Sequence, residues 1–194
     1  MLYNFLVAIV RVLFKIFYRI EIEGSKDIED GPLIICPNHS HIFDPLILAV
    51  VLDRPIHFMA KKELFDKKFL GNFLKKVHAF PVDRDKPSIN TVRESIKVLK
   101  EDKVLGVFME GTRVKEYSLN NAKAGVAMIA VRSKADILPV KIDASFKAFS
   151  KIKLTFRPII SHEDYDKNMS YDEFAKYILK TIYEGDANGN NFIG

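Results

Sequence analysis

Cysteine is almost absent from this 194-residue chain, which contains only Cys36. A single cysteine excludes an internal disulfide framework and favours a reducing compartment. Cys36 closes a short apolar run that begins at Leu33, and such a run is typical of a buried strand. We therefore expect Cys36 to be a packed core thiol and not a nucleophile.

The N-terminal segment has no apolar run long enough to cross a membrane. Its uninterrupted run, Phe5 to Val10, is short against the ~20 residues that a spanning helix needs. Charges inside the segment and the lack of a small-residue cleavage site also argue against a secretory signal. From Leu2 to Phe17 the apolar positions follow a helical period beside a narrow stripe with Arg11 and Lys15. This pattern predicts an amphipathic helix in the headgroup region of a membrane; the alternative is a helix that packs on the core or on a second copy.

Arginine-glycine repeats and the aromatic motifs of ribonucleoprotein domains are missing as well. We therefore expect no nucleic-acid partner. The net charge is +5, and this excess favours anionic partners such as a phospholipid surface or a phosphorylated substrate. Residues Phe65 to Val77 combine lysines with an apolar helical face. They predict either a second surface for acyl chains and headgroups or an ordinary amphipathic helix.

The chain has neither an internal repeat nor a linker long enough to separate two domains. Strands alternate with helices through its middle, which predicts a single α/β domain with a largely parallel or mixed sheet and helices on both faces. We predict a membrane-docking helix over residues 1–19, the α/β domain over residues 20–184, and a disordered tail over residues 185–194.

Two local signals refine this expectation. Thr91 and Glu94 have capping-box spacing, which predicts that a helix opens there and runs through Lys100. Pro139 lies in an apolar strand but has no N–H group to donate, so we expect that strand at the periphery of the sheet or at a bulge.

A histidine and an aspartate five residues apart stand on the turn after the first buried strand. Pro45 suits the first position of the next helix, with Asp44 as its N-cap. A turn can place the Asp44 carboxylate on one imidazole nitrogen of His39 and leave the other nitrogen as a base. Two alternatives stay open: Asp44 is only a helix cap, or His39, His41 and Asp44 bind a metal ion.

Further polar blocks follow in order along the chain. Arg84 follows Phe80-Pro81-Val82-Asp83, and the sequence Glu-Gly-Thr-Arg, from Glu110 to Arg113, follows an apolar strand. A turn at the carboxyl end of a strand offers backbone N–H groups, and Gly111 permits close approach by a ligand. Arginine can grip phosphate oxygens with two parallel hydrogen bonds, although Asp83 and Asp85 could also hold Arg84 in a local salt bridge.

These blocks, with Asn38 to Pro45 at their head, resemble the motifs of the glycerolipid acyltransferase family over about residues 32–140. Two positions depart from the family pattern: His41 replaces the usual serine, and Met109 replaces the usual proline. The resemblance implies His39 and Asp44 as the catalytic pair, without a metal. It implies a substrate-binding set formed by Lys61, Arg84, Glu110, Gly111, Thr112, Arg113 and Lys123.

The implied reaction transfers an acyl group from a thioester to the free hydroxyl of 1-acyl-sn-glycerol 3-phosphate (lysophosphatidic acid) and forms phosphatidic acid. The donor is an acyl-CoA or an acyl-acyl carrier protein, and no further cofactor is expected. The protein is expected at the phospholipid surface on the cytoplasmic face of the cell membrane, as a peripheral or monotopic enzyme. Three alternatives stay open: an acyltransferase for glycerol 3-phosphate or another lysolipid, a metal-dependent hydrolase, and a catalytically silent membrane-binding module.

Overall fold

The computed structural model describes residues 2–83 and 89–185, in which seven strands form one mixed sheet with helices on both faces. The strands are β1 (Arg19–Glu23), β2 (Leu33–Pro37), β3 (Ile56–Lys61), β4 (Phe80–Val82), β5 (Val104–Gly106), β6 (Asp136–Ala144) and β7 (Lys151–Phe156). The helices are α1 (Leu2–Phe17), α2 (Asp44–Val51), α3 (Lys68–Lys76), α4 (Ile89–Lys100), α5 (Ala124–Ser133) and α6 (Tyr171–Glu184). The predicted α/β class is confirmed. Arg84 and residues 186–194 lie outside the described residues, so the predictions made for them stay predictions.

The order of strands decides where the turns meet. The sheet runs β1-β7-β6-β2-β5-β3-β4, and each neighbouring pair is parallel except β6 with β7. β2 lies at the centre, between β6 and β5, and each of its residues is buried. Parallel neighbours end at the same edge of a sheet, and ligands of open α/β sheets bind at that edge. The turns that follow β2 and β5 therefore meet there.

Two apolar cores cover the two faces of the sheet. Alternate residues of β2 point to opposite faces, so Ile34 packs with α4, α5 and α6 while Ile35 packs with α1 and α2. Ile178 and Ile182, fully buried on α6, belong to the first core, and the inward side of α1 reaches the second through Phe14.

The amphipathic helix α1 forms over the predicted residues, and it packs on the protein through part of its surface. Arg11 donates its Nε–H to the backbone oxygen of Val50 at 2.9 Å and lies 3.5 Å from Asp53. Arg11 therefore faces the protein, whereas Lys15 is exposed, and the exposed side of the helix also carries apolar residues such as Phe5, which is 63% exposed. None of the helices within the described residues is long and apolar enough to cross a membrane.

Two predicted helix starts were wrong. The first turn of α2 includes Asp44, and Phe43 is the N-cap without a side-chain cap bond. Oδ2 of Asp44 accepts donors of the preceding turn, and within the described residues its Oδ1 has no hydrogen-bond partner, so neither oxygen caps the helix. α4 extends back at least to Ile89, which places Thr91 inside the helix and not at its cap.

The position predicted for Pro139 was also wrong, because β6 is an interior strand paired on both sides. Pro139 pairs with Cys36 of β2 and stands one residue before the antiparallel register with β7, which starts at Val140 and Phe156. Its carbonyl accepts from the N–H of Arg157 at 3.0 Å. The N atom of a strand residue points to the same side as its carbonyl, so the N atom of Pro139 points toward the β7 side. On that side the strand β7 has ended at Phe156, so the missing N–H costs no hydrogen bond within the strand.

Candidate active site

The turn after β2 joins His39 to Asp44. Nδ1 of His39 lies 2.9 Å from Oδ2 of Asp44, and the same oxygen accepts the N–H groups of Ser40 at 2.8 Å and His41 at 2.7 Å. Asp44 is fully buried and His39 is 8% exposed. With Nδ1 engaged, Nε2 is the ring nitrogen that is left to take a proton. The structure thus brings the predicted pair together, and one carboxylate oxygen fixes both the turn and the imidazole.

The turn after β5 holds the backbone of His39 on both sides. The N–H of His39 donates to Oε2 of Glu110 at 2.8 Å, and its carbonyl accepts from the N–H of Val114 at 2.9 Å. The imidazole stacks on the ring of Phe108 with the centroids 4.0 Å apart and the planes 28° apart. Residues on both sides of the Glu-Gly-Thr-Arg sequence therefore set where the imidazole lies.

Asn38 anchors the same turn on the neighbouring strand β6. Its Nδ2 donates to the carbonyl of Ile142 at 3.0 Å, and its Oδ1 accepts the N–H of Ile142 at 2.7 Å. The side-chain amide of Asn38 thus makes the two hydrogen bonds to Ile142 that a backbone amide makes between paired strands. The turn is thereby fixed to both strands that flank β2.

Glu110 is a buried carboxylate, 2% exposed, with protein donors on both oxygens. Oε1 accepts the hydroxyl of Tyr183 at 2.7 Å, while Oε2 accepts the N–H of His39. Burial raises the pKa of Glu110, and these two donors act in the opposite direction by stabilising its charged form. Burial and the nearby Glu110 carboxylate raise the pKa of Tyr183. Glu110 was predicted to bind substrate, and that contact stays a prediction.

Gly111 adopts a left-handed backbone conformation with φ of 71°, which residues with a Cβ rarely adopt. Its N–H donates to the carbonyl of Phe108 at 3.0 Å, so this N–H closes the turn. Lys123 lies beside the turn, with its N–H bonded to the carbonyl of Met109 at 3.2 Å and its stem near Gly111.

The remaining predicted substrate-binding side chains lie on the surface around this turn. Thr112 and Arg113 are exposed, and Arg113 has no ion-pair partner within residues 2–83 and 89–185. Lys61 ends β3, pairs in register with Val82 of β4, and has its Nζ 3.5 Å from Glu63. Arg113 and Lys123 therefore stand close to the histidine turn, and Lys61 stands two strands away from β2.

A cavity of about 170 Å³ lies between the carboxyl ends of β3 and β5 and the helices α4 and α5. Its walls are mainly apolar and include Met59, Val92, Val107, Met109, Val126 and Ile129. Phe108, Gly111 and Lys123 also line it. Because Phe108 stacks on His39, the cavity begins next to the imidazole.

The metal set that the sequence left open is not assembled. The ring of His41 stacks on Phe146 at 4.5 Å, and its Nδ1 accepts the N–H of Phe43 at 3.3 Å. Within the described part of the chain, no three His, Cys, Asp or Glu side chains form a group that could hold a metal ion. Cys36 is fully buried, and burial raises the pKa of its thiol, which suits the predicted packing role.

Comparison with known proteins agrees with this geometry. A family model described as Acyltransferase matches residues 19–143. This chain belongs to the acyltransferase family. The matched region includes the histidine turn, the Glu-Gly-Thr-Arg sequence and strand β6, so the resemblance seen in the motifs is confirmed.

Family members with known names are similar over most of the chain. A 1-acyl-sn-glycerol-3-phosphate acyltransferase of Bacillus subtilis is 37% identical over 140 residues, which cover 71% of this chain and 69% of that protein. One of Streptococcus pneumoniae is 32% identical over 159 residues, which cover 81% of this chain and 56% of that protein. The crystal structure of a 1-acyl-sn-glycerophosphate acyltransferase from Thermotoga maritima matches 94% of this chain and 79% of its own, with a TM-score of 0.74 and 23% identity, and supports the fold.

Three residues of the site were not predicted from the sequence. Phe108 precedes the Glu-Gly-Thr-Arg sequence and has the pattern of an ordinary strand residue, but its ring stacks on the imidazole of His39. Val114 binds His39 through its backbone, which leaves no trace in residue type. Tyr183 lies 73 positions after Glu110 on α6, beyond the matched family region.

Proposed function

We propose that this member of the acyltransferase family transfers an acyl group from a thioester to the free hydroxyl of 1-acyl-sn-glycerol 3-phosphate and forms phosphatidic acid. The observation that carries the proposal is the buried His39–Asp44 pair, 2.9 Å apart at the carboxyl edge of the sheet. The names of the Bacillus and Streptococcus relatives support the acceptor.

In this scheme His39 is the general base. A hydroxyl is a weak nucleophile at neutral pH, so it needs a base within hydrogen-bond reach. Nε2 of His39 takes the hydroxyl proton as the oxygen attacks the thioester carbonyl. The tetrahedral intermediate then collapses, the carbon–sulfur bond breaks, and the imidazolium returns the proton to the leaving thiolate. Asp44 holds the tautomer that has Nε2 free and stabilises the imidazolium.

Positive side chains at the rim would hold the acceptor phosphate. Arg113 and Lys123 are exposed beside the histidine turn, and Lys61 ends a nearby strand. The planar guanidinium of Arg113 suits two parallel bonds to phosphate oxygens. Arg84 joins this set by its motif, and Gly111 and Thr112 supply the turn against which the phosphate lies.

The apolar cavity suits an acyl chain. It begins next to Phe108, whose ring contacts His39, and its walls are made mainly of aliphatic and methionine side chains. Apolar lining near a polar reacting centre is the usual design of a small-molecule site. The thioester carbonyl would then lie at the His39 end, with the thiol part of the donor, coenzyme A or acyl carrier protein, outside. The scheme needs no other cofactor.

The exposed apolar surface supports docking of the protein on the cytoplasmic face of a membrane. Phe5, Ile9, Val12 and Ile16 of α1 are each more than 40% exposed, and Phe69 of α3 is 92% exposed. Exposed apolar side chains with lysines around them favour the boundary between headgroups and acyl chains. Such docking would present the active site to a lipid acceptor without extraction of that lipid into water.

A panel of acceptors tests the proposed reaction. The purified protein is given acyl-CoA or acyl-acyl carrier protein with 1-acyl-sn-glycerol 3-phosphate, glycerol 3-phosphate, or a lysolipid without a phosphate monoester. Mass spectrometry should find phosphatidic acid from the first acceptor at a rate at least tenfold above the others. Faster acylation of glycerol 3-phosphate or of the neutral lysolipid would overturn the proposed acceptor.

A further inference from the structure

A side chain of the last helix reaches the catalytic turn through one carboxylate. The hydroxyl of Tyr183, on α6, donates to Oε1 of Glu110 at 2.7 Å, and Oε2 of Glu110 accepts the backbone N–H of His39 at 2.8 Å. These two bonds connect α6 to the backbone of His39 through Glu110. Glu110 binds the backbone of His39, and Asp44 binds its imidazole. A shift of Glu110 therefore moves the imidazole relative to Asp44.

The ring of Tyr183 is itself held in place. It stacks on Tyr117 with the centroids 4.4 Å apart and the planes 23° apart, and the Tyr117 hydroxyl donates to Oε1 of Glu184 at 2.9 Å. Ile178 and Ile182 are fully buried and fix α6 on the sheet. The hydroxyl of Tyr183 therefore has a set direction, toward Glu110, and it also interacts with the side chain of Asn38.

We propose that Tyr183 is a positioning residue for His39, acting through Glu110. The proposal rests on the proposed role of His39 as the general base. Glu110 is 2% exposed, and a buried carboxylate must find its donors within the protein. Without the Tyr183 hydroxyl, Oε1 loses its donor, and the carboxylate either turns toward another donor or takes up a proton. Either change weakens the grip of Oε2 on the N–H of His39.

A matched pair of tyrosines provides the test. Tyr183→Phe removes the hydroxyl bound to Glu110 and keeps the stacked ring. Tyr117→Phe removes the hydroxyl bound to Glu184 and keeps the same stack, so it controls for the loss of one hydrogen bond on this surface. We expect Tyr183→Phe to lower kcat about tenfold, which corresponds to about 1.4 kcal/mol, with KM for donor and acceptor nearly unchanged. Tyr117→Phe should keep the wild-type kcat.

The pH dependence separates positioning from a general structural effect. The hydroxyl stabilises charged Glu110 against the effect of burial, and His39 and Asp44 are the other titratable groups that act on Glu110. In Tyr183→Phe the acidic limb of kcat should move to higher pH, because Glu110 takes up its proton earlier. The carbon-13 resonance of the Glu110 carboxyl, identified by its loss in Glu110→Gln, should titrate at higher pH in Tyr183→Phe. This NMR result does not depend on turnover, so it stands apart from the outcome of the acceptor panel.

A double-mutant cycle completes the test. If Tyr183 acts through Glu110, Tyr183→Phe should cost less than twofold in a Glu110→Gln background. Equal kcat values for Tyr183→Phe and Tyr117→Phe would overturn the proposal, and so would the full tenfold loss in the Glu110→Gln background. Unfolding of Tyr183→Phe, with Tyr117→Phe intact, would assign the hydroxyl to stability and would also contradict it.

Discussion

Replacing Asp44 with asparagine keeps the size of the side chain and removes the negative charge beside His39. The side chain is fully buried, and its Oδ2 accepts three N–H groups, including that of the imidazole. The backbone N–H groups of Ser40 and His41 need an acceptor at the Oδ2 position, so the amide oxygen would stay there and still accept the N–H of the imidazole. What the substitution removes is the negative charge that stabilises the imidazolium.

The size of the effect follows from the buried pair. Removing one partner of a buried ion pair costs about 3–5 kcal/mol. The His39–Asp44 pair becomes fully charged only when His39 has taken the proton, so this cost falls on the transition state. A factor of ten in rate corresponds to about 1.4 kcal/mol, so kcat should fall by roughly 10² to 10⁴, while both KM values stay within about threefold.

The assay is the initial rate at saturating donor and acceptor, with thermal unfolding measured on each protein. Asp136→Asn is the matched control, because Asp136 binds Nδ1 of His162 at 2.8 Å at the opposite edge of the sheet. It removes the same kind of carboxylate–imidazole contact and should keep kcat. A kcat of folded Asp44→Asn within tenfold of the wild type would refute the reasoning.

Three further predictions concern the acceptor, the membrane and pH. Arg113→Ala should raise KM for the phosphorylated acceptor more than tenfold and leave KM for the donor unchanged, with Arg113→Lys restoring only part; equal acceptor KM values in steady-state kinetics would contradict this. Phe69 is 92% exposed, and burying a phenylalanine gains about 1.5–3 kcal/mol, so Phe69→Ser should reduce liposome flotation severalfold without lowering Tm. Lys15→Glu should weaken flotation with anionic vesicles more than with neutral ones, because each basic residue contributes about 1 kcal/mol near anionic lipid; unchanged flotation of both variants would show that these surfaces do not meet lipid. Burial, then His78 and Lys103, lower the pKa of His57 to about 4, so the unfolded chain binds an extra proton below pH ~6.5 and stability should fall between pH 6.5 and 4. Urea unfolding at pH 7 and 5 should show a smaller loss for His57→Phe than for the wild type, and an equal loss would contradict this assignment.

The α/β fold was predictable because short apolar runs and helical patterns alternate along the chain. Leu33 to Cys36 reads as a buried strand, and it became the central strand β2. The predictions for Asp44 and Pro139 were wrong because they used local sequence rules, whereas contacts made in the folded protein decide both positions. Asp44 has the sequence of a helix cap, but its Oδ2 accepts three donors of the preceding turn instead of the N–H groups of the helix. Pro139 has the sequence of an edge strand, but β7 ends where the missing N–H would be needed.

The pairing of His39 with Asp44 was predictable because only four residues separate them and the turn is short. The partners of Glu110 were not, because Tyr183 reaches it from a helix 73 positions later and the other partner is a backbone N–H. The contact of Arg11 on α1 was not predictable for a similar reason. A helical stripe with Arg11 suggests contact with water or headgroups, whereas the guanidinium binds the backbone oxygen of Val50 on α2. No periodic pattern in the sequence predicts long-range hydrogen bonds of this kind.

The role of His39 as general base is tested directly by the rate of phosphatidic acid formation by His39→Ala and His162→Ala, with 1-acyl-sn-glycerol 3-phosphate and an acyl thioester. Both substitutions remove an imidazole that is bonded to an aspartate, at opposite edges of one sheet. General base catalysis contributes about 10² to 10⁴ in rate, so His39→Ala should lose at least a hundredfold while His162→Ala keeps the wild-type rate. Near-normal phosphatidic acid formation by folded His39→Ala would contradict the account.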